Sequence, residues 1–131
     1  TILKPNMILP GAKSKNKSNS NEIAKITIKC LKECVPNEIP GITFLSGGQT
    51  EFEATENLNE INKINDTNFL ITFSYGRALQ QSALKIWGKN MSDDSNTQKL
   101  STQKIFNHRA KMNSLSTSSM WYPHMEKLIS N

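Results

Sequence analysis

The sequence contains few of the residues that bind metals. Its 131 residues include two cysteines and two histidines, whereas a structural zinc ion takes about four ligands of these types. Cys30 and Cys34 lie in a predicted helix with no histidine near them. We interpret them as small buried side chains in a reducing compartment. The sequence therefore predicts no metal site and no other cofactor.

Long apolar segments and clusters of arginine are also missing. No apolar run approaches the ~20 residues that cross a bilayer, and the first residues lack the charged start of a signal peptide. The formal net charge is +5. The lysines are scattered except in the serine- and asparagine-rich stretch Gly11–Asn21, a predicted solvated loop. Nucleic-acid-binding proteins usually cluster their positive charge and use arginine. We expect a cytoplasmic protein that binds neither nucleic acid nor a membrane.

What the sequence does contain is an alternation of short apolar segments and helical patterns. The predicted strands are Thr1–Lys4, Gly41–Leu45 and Phe69–Phe73. The predicted helices run from Ser20 or Asn21 to Cys34, from the capping box of Thr50 and Glu53 to about Ile61, from about Arg77 to Trp87, and from Thr97 to Leu115. This order predicts an α/β fold with parallel strands. The candidates are a doubly wound sheet or part of a (β/α)8 barrel, since a whole barrel takes about 250 residues.

Each predicted strand is followed by a loop with unusual chemistry. The loops are Lys4–Asn6, Ser46–Gln49 and Ser74–Arg77, and in parallel α/β folds such loops share one face, where ligands bind. Glycine lets backbone N–H groups approach an anion, and a helix begins within a few residues of the second and third loops. Either loop alone would more often be a tight turn. The two together, with the guanidinium of Arg77, favour a phosphate site.

Lys4 is the candidate nucleophile of this face. A lysine that is desolvated near another cation, such as Arg77, loses affinity for its proton and attacks carbonyl carbons. The alternative is an exposed lysine at the end of a strand, which is the more common fate of this residue. Pattern and position alone leave both interpretations open.

Several strings of the sequence resemble a known family. Leu3–Met7, Gly41–Gln49 and Thr72–Gln80 are similar to the three signature segments of class I fructose-bisphosphate aldolases, and Glu56–Lys63 and Ser82–Lys89 are further matches. The resemblance implies the last three βα units of a (β/α)8 barrel followed by a C-terminal helix. We expect residues 1–115 to form this incomplete barrel and residues 116–131 to form a divergent tail. The start at Thr1, without a methionine, is expected to lie inside a longer protein.

The resemblance also implies an activity. Lys4 would form an imine with the ketone carbon of fructose 1,6-bisphosphate or dihydroxyacetone phosphate. The residues that would hold the substrate phosphate are Ser46, Gly47, Gly48, Ser74, Gly76 and Arg77. The proton-transferring glutamate of the family belongs to strands that this chain lacks, and Glu51 and Glu53 are interpreted as helix-start residues. The chain alone is therefore expected to fold poorly and to be inactive, whereas the complete protein would be a tetramer.

Other functions remain as alternatives. A zinc-dependent class II aldolase would need several histidine ligands, and only His108 and His124 are present. A transaldolase-like enzyme shares the lysine chemistry but not these strings. The alternative of another class is a non-catalytic, aldolase-derived scaffold that binds acidic partners such as actin.

Overall fold

The computed structural model describes residues 1–89 and 95–128 of the chain. Helices and strands alternate along it, as the α/β prediction requires. They are α1 (Ser20–Cys34), β1 (Gly41–Phe44), α2 (Glu51–Lys63), β2 (Leu70–Phe73), α3 (Arg77–Lys89), α4 (Ser95–Thr117) and a 3-10 helix (Pro123–Lys127).

The sheet is parallel and small. β1 pairs with β2 in a register that runs from Gly41 opposite Leu70 to Phe44 opposite Phe73. The N-terminal segment Thr1–Lys4 lies along the edge of β1 that does not pair with β2. There, Leu3 forms a single parallel bridge with Ile42. The prediction of a full strand over Thr1–Lys4 was therefore wrong in extent. Proline has no N–H with which to continue a ladder, so the pairing ends at residue 5.

The two faces of the sheet differ in burial. Ile42 and Phe44 are fully buried, and Ile71 nearly so, in a core that includes Leu58 of α2. Side chains alternate between the faces of a strand, and on the other face Leu70 is 79% exposed. α1 and α2 thus cover one side of the sheet, and α4 reaches the other side at Thr72, whose hydroxyl lies 3.4 Å from that of Thr117.

Local sequence signals explain where the first two helices begin. Asn19 and Glu22 form a capping box at α1, and the predicted box of Thr50 and Glu53 is present at α2. Each box satisfies backbone N–H groups that the helix leaves without partners. Both helices begin within a residue or two of the predicted position.

The buried stripe of α1 does not include the two cysteines. Its buried residues are Ile23, Ala24, Thr27, Ile28 and Leu31. Cys30 is only partly buried and Cys34 is exposed, so the prediction of two buried cysteines was wrong. The packing of α1 against α2 buries the face that contains Ala24 and Ile28, and Cys34 is exposed as the last residue of the helix, beyond the buried Leu31.

The C-terminal residues fold against the helices. α4 packs on α2 and α3, and Trp121 beyond it is 2% exposed. α4 crosses residue 115 and reaches Thr117, so the predicted boundary lies inside a helix; the division into two parts stays a prediction. None of the described helices combines the length and the apolar character needed to span a bilayer.

Candidate active site

The loops after the three parallel segments meet at one end of the sheet. The N–H of Leu45 donates to the carbonyl of Pro5 at 3.0 Å, and the side-chain amide of Asn6 donates to the carbonyl of Gly47 at 3.2 Å. These bonds join the first loop to the second. The loops Lys4–Asn6 and Ser46–Gln49 therefore lie in direct contact, on one face as predicted.

The second loop is joined to the third in the same way. The N–H of Ser74 donates to the carbonyl of Phe44 at 2.8 Å. The N–H of Ala78, in the first turn of α3, donates to the hydroxyl of Ser46 at 3.4 Å. The start of α3 thus points toward the second loop, and the positive end of a helix dipole favours an anion there.

Lys4 lies at the open face of the sheet. Its neighbour Leu3 pairs with the buried Ile42, so alternation along the strand directs Lys4 to the opposite face. The side chain is exposed, not desolvated as the nucleophile argument required. Within residues 1–89 and 95–128, Lys4 takes part in none of the ion pairs. Its amine is therefore free to meet a ligand.

The second loop provides backbone donors because of its glycines. Gly48 has φ of +79°, a conformation that costs other residues free energy. At Gly47, an added Cβ would lie 3.0 Å from the Cδ1 of Leu45, so the close packing of this turn favours glycine. In the described part of the chain, the N–H groups of both glycines donate to no protein acceptor. They are available to an anion.

The third loop is fixed by an aromatic anchor. Tyr75 is buried, and its hydroxyl donates to the carbonyl of Ala54 in α2 at 2.9 Å. Burial raises the pKa of Tyr75 well above its ordinary value, so the hydroxyl stays a donor. The anchor leaves Ser74, Gly76 and Arg77 exposed on either side. The phosphate-binding role of Ser74, Gly76 and Arg77 stays a prediction.

Two positioning residues were missed by the sequence analysis. Asn6 accepts from the N–H of Met7 at 3.0 Å and donates to the Gly47 carbonyl, so it fixes the first loop against the second. Tyr75 fixes the third loop to α2. The available signals in the sequence were the position of Asn6 directly after a lysine–proline pair and the position of Tyr75 between a serine and a glycine.

The carboxylates nearest to these loops in sequence are engaged in structure. Glu53 accepts from the N–H of Thr50 at 2.8 Å, which confirms its interpretation as a helix-start residue. Glu51 accepts from the N–H of Ser82 at 2.8 Å and from its hydroxyl, and so ties α2 to α3. Among the described residues, no three histidine, cysteine, aspartate or glutamate side chains come together as metal ligands. The loops therefore offer an amine and anion donors.

Comparisons with known proteins show which family this chain resembles. The family model described as fructose-bisphosphate aldolase class-I matches residues 1–130. Fructose-bisphosphate aldolase 4, cytosolic, of Arabidopsis thaliana is 50% identical over 118 residues, which cover 89% of this chain and 29% of that protein. Fructose-bisphosphate aldolase B of Sparus aurata is 45% identical over 124 residues, which cover 94% of this chain and 33% of that protein. The resemblance inferred from the sequence is confirmed.

A solved structure is similar over the same region. It contains fructose-bisphosphate aldolase from Plasmodium falciparum in complex with TRAP and a small-molecule inhibitor. The TM-score is 0.83 at 38% identity, covering 92% of this chain and 33% of that one. The chain thus spans about a third of the length of the proteins it matches.

Proposed function

We propose, because this chain belongs to the class I fructose-bisphosphate aldolase family, that it supplies the imine-forming lysine and the phosphate-binding loops of a glycolytic aldolase. The observation that carries the proposal is the meeting of three loops at one end of the parallel segments, through the Asn6–Gly47 and Ser46–Ala78 contacts. That arrangement brings an unpaired amine and unpaired N–H donors to the same edge.

In the proposed reaction, the amine of Lys4 attacks the ketone carbon of fructose 1,6-bisphosphate and water leaves. The protonated imine accepts the electron pair of the C3–C4 bond as it breaks, and the C4 hydroxyl loses its proton. Glyceraldehyde 3-phosphate departs, the enamine is protonated at C3, and water releases dihydroxyacetone phosphate from the lysine. Covalent catalysis of this kind divides one difficult step into easier ones.

The phosphate group would be held by the second and third loops. The N–H groups of Gly47, Gly48 and Gly76 are the backbone donors, and the hydroxyls of Ser46 and Ser74 are side-chain donors. The guanidinium of Arg77 adds charge-assisted bonds with the fork geometry that phosphate accepts well. A phosphate held between adjacent βα loops is a frequent arrangement in (β/α)8 barrels. Binding there would orient the ketone toward Lys4.

The architecture we propose is the last three βα units of such a barrel. Its support is the order of the parallel segments and the exposure of Leu70 and Lys4 on one face of the sheet. In a closed barrel that face lines the interior. The further strands, with the acid–base residue, belong to the part of the relatives that this chain does not span. We propose a cytoplasmic homotetramer for the complete protein.

Trapping of the imine tests the role of Lys4. In the protein that carries this chain, borohydride with dihydroxyacetone phosphate should give a reduced adduct on the peptide that contains Lys4. Lys4→Arg keeps the charge and should abolish the adduct, whereas the matched change Lys13→Arg in the Gly11–Asn21 loop should not affect it. An adduct that forms on another lysine, or none at all, would overturn the assignment.

The chain alone should not turn over substrate. The three loops contain an amine and anion donors, while Glu51 and Glu53 are engaged in helix contacts. The purified 131-residue chain mixed with fructose 1,6-bisphosphate is therefore expected to release no triose phosphate in a coupled assay. Steady release at catalytic enzyme concentrations would show that the chain holds its own acid–base residue.

A second candidate function is a non-catalytic scaffold that binds acidic partners such as actin. The similar Plasmodium falciparum aldolase was solved in complex with TRAP, and this chain carries a net charge of +5. The scaffold proposal predicts salt-sensitive co-sedimentation with filamentous actin and no borohydride adduct on Lys4. Changing Lys13, Lys15 and Lys17 together to glutamate should weaken the co-sedimentation. Unchanged binding by that variant would argue against the scaffold.

A further inference from the structure

The two cysteines of the chain form a pair in the last turns of α1. They are four residues apart, so they lie one above the other on the same face of the helix. Cys34 is exposed, Cys30 is partly buried, and both thiols are free. The pair lies at the edge of the buried stripe of α1, beyond Thr27 and Leu31, where the helix ends. A small reagent can therefore reach both sulfur atoms from solvent.

Helix geometry disfavours a direct disulfide between them. The Cβ atoms of residues i and i+4 on a helix are about 5–6 Å apart, whereas a disulfide requires a Cβ–Cβ distance of about 3.5–4.5 Å. Cys34 is the last residue of α1, and the N–H of Val35 donates to the carbonyl of Leu31 at 3.0 Å. Closing a disulfide would distort this capped turn. A bridge that places one further atom between the sulfurs suits the wider spacing.

We propose that Cys30 and Cys34 form a two-thiol binding site for monosubstituted trivalent arsenicals. In the reaction, an organic arsenic oxide, R–As=O, forms two As–S bonds, and the two thiol hydrogens leave with the oxygen as one water molecule. No electrons are transferred. The third valence of arsenic is filled by carbon, so two protein sulfurs complete the site.

The surroundings favour this ligand over zinc. Zinc takes about four ligands and binds thiolates, and among the described residues no third metal-binding side chain joins the pair. Burial, followed by the hydrogen bond and the charge of Cys34, raises the pKa of Cys30. A protonated thiol is a poor zinc ligand, whereas the condensation with arsenic oxide needs each thiolate only briefly, as it attacks arsenic, and takes up two thiols overall. Glu33 beside the pair is a hard oxygen ligand, which a soft ion disfavours.

Phenylarsine oxide is the probe for this site. Intact-mass measurement of the reduced protein should show one phenylarsenic group added per pair, with loss of one water. A large excess of 2-mercaptoethanol should leave the adduct in place, because two As–S bonds must open together, and dimercaptopropanol should remove it. The single variants Cys30→Ser and Cys34→Ser should lose the adduct in 2-mercaptoethanol, with at least a tenfold drop in apparent affinity.

A variant with the same number of thiols tests the geometry. Cys34→Ser combined with Lys32→Cys places the second thiol two residues from Cys30, which turns it to a different face of the helix. In buffer, 2-mercaptoethanol should remove the adduct from this variant as it does from the single-cysteine proteins. In concentrated urea, where the helix is unfolded, the adduct of this variant should be as resistant as that of the native protein. An adduct as resistant as that of the native protein would overturn the proposal. So would a native adduct that 2-mercaptoethanol removes, or single variants that retain it.

Discussion

The two arginines of the chain lie in contrasting surroundings. Arg77, at the start of α3, is exposed at the loop end of the sheet and takes part in none of the ion pairs of the described residues. Arg109, in α4, is 6% exposed and is paired with Glu126 of the C-terminal segment. The same type of side chain is thus left available in one region, whereas in the other both of its terminal nitrogens are hydrogen-bonded. Sequence alone does not separate these two situations.

The region around Arg109 is a polar network inside a packed interface. Both terminal nitrogens of Arg109 donate to Glu126, and one of them also donates to the hydroxyl of Thr55 in α2. The indole N–H of Trp121 donates to the same carboxylate at 2.9 Å. Bidentate bonds between charged groups are among the strongest in proteins. The network therefore joins α2, α4 and the C-terminal segment into one unit.

The contrast predicts a large stability effect at Arg109. Arg109→Leu should lower the free energy of unfolding by about 3 kcal/mol, because the carboxylate of Glu126 loses the guanidinium and keeps the contacts with Trp121 and His108. Arg77→Leu, the matched change at the loop end, should alter it by less than about 0.5 kcal/mol. Urea denaturation followed by circular dichroism measures both. Equal effects would show that the described pairing contributes nothing to stability.

A smaller effect is expected where the two regions touch. The Tyr75 hydroxyl donates to the Ala54 carbonyl and fixes the third loop to α2. Tyr75→Phe should lower the free energy of unfolding by about 1 kcal/mol through the lost hydrogen bond. It should also weaken phosphate binding in the protein that carries this chain, because the loop loses its anchor. Ile71→Val, at a buried position of β2, is the control: it should lower stability by about 1 kcal/mol without a specific loss of phosphate affinity.

The comparison also shows which features the sequence could predict. The capping box of Thr50 and Glu53 depends on residues three apart, and the structure contains it. The loops after each strand were predictable because parallel topology and glycine content determine where backbone donors lie. These features depend on short stretches of chain. They do not require knowledge of how distant elements pack.

Features that depend on distant contacts were beyond the sequence. Arg109 and Glu126 are joined by the fold of the C-terminal segment, and nothing in their spacing indicates a buried pair. The exposure of Cys34 follows from where the core ends along α1, beyond the buried Leu31. The exposure of Lys4 likewise depends on the elements that face the sheet, whereas a strand pattern gives only its direction.

The smallest expected effect on stability concerns Glu56 in α2. Its carboxyl is partly buried, unlike the exposed Arg77, and lies near other acidic side chains. Burial in α2 raises the pKa of Glu56, and repulsion from Glu60 and Glu53 adds to it, against the attraction of Lys63. A carboxyl whose folded pKa exceeds its unfolded value contributes stability at low pH that is lost as the pH rises through the folded pKa. Because glutamine does not ionise, Glu56→Gln should prevent this loss of stability.

The Glu56→Gln variant should therefore unfold like the native protein near pH 3. Above about pH 4, where an ordinary glutamate ionises, it should become slightly more stable than the native protein, by less than about 0.5 kcal/mol. Glu38→Gln, in the exposed turn after α1, should produce no such pH-dependent difference. Thermal melts at pH 3, 5 and 7 measure both variants. A Glu56→Gln protein that loses stability at pH 7 would show that this carboxylate has a stabilising partner, and α2 would then resemble the paired region around Arg109.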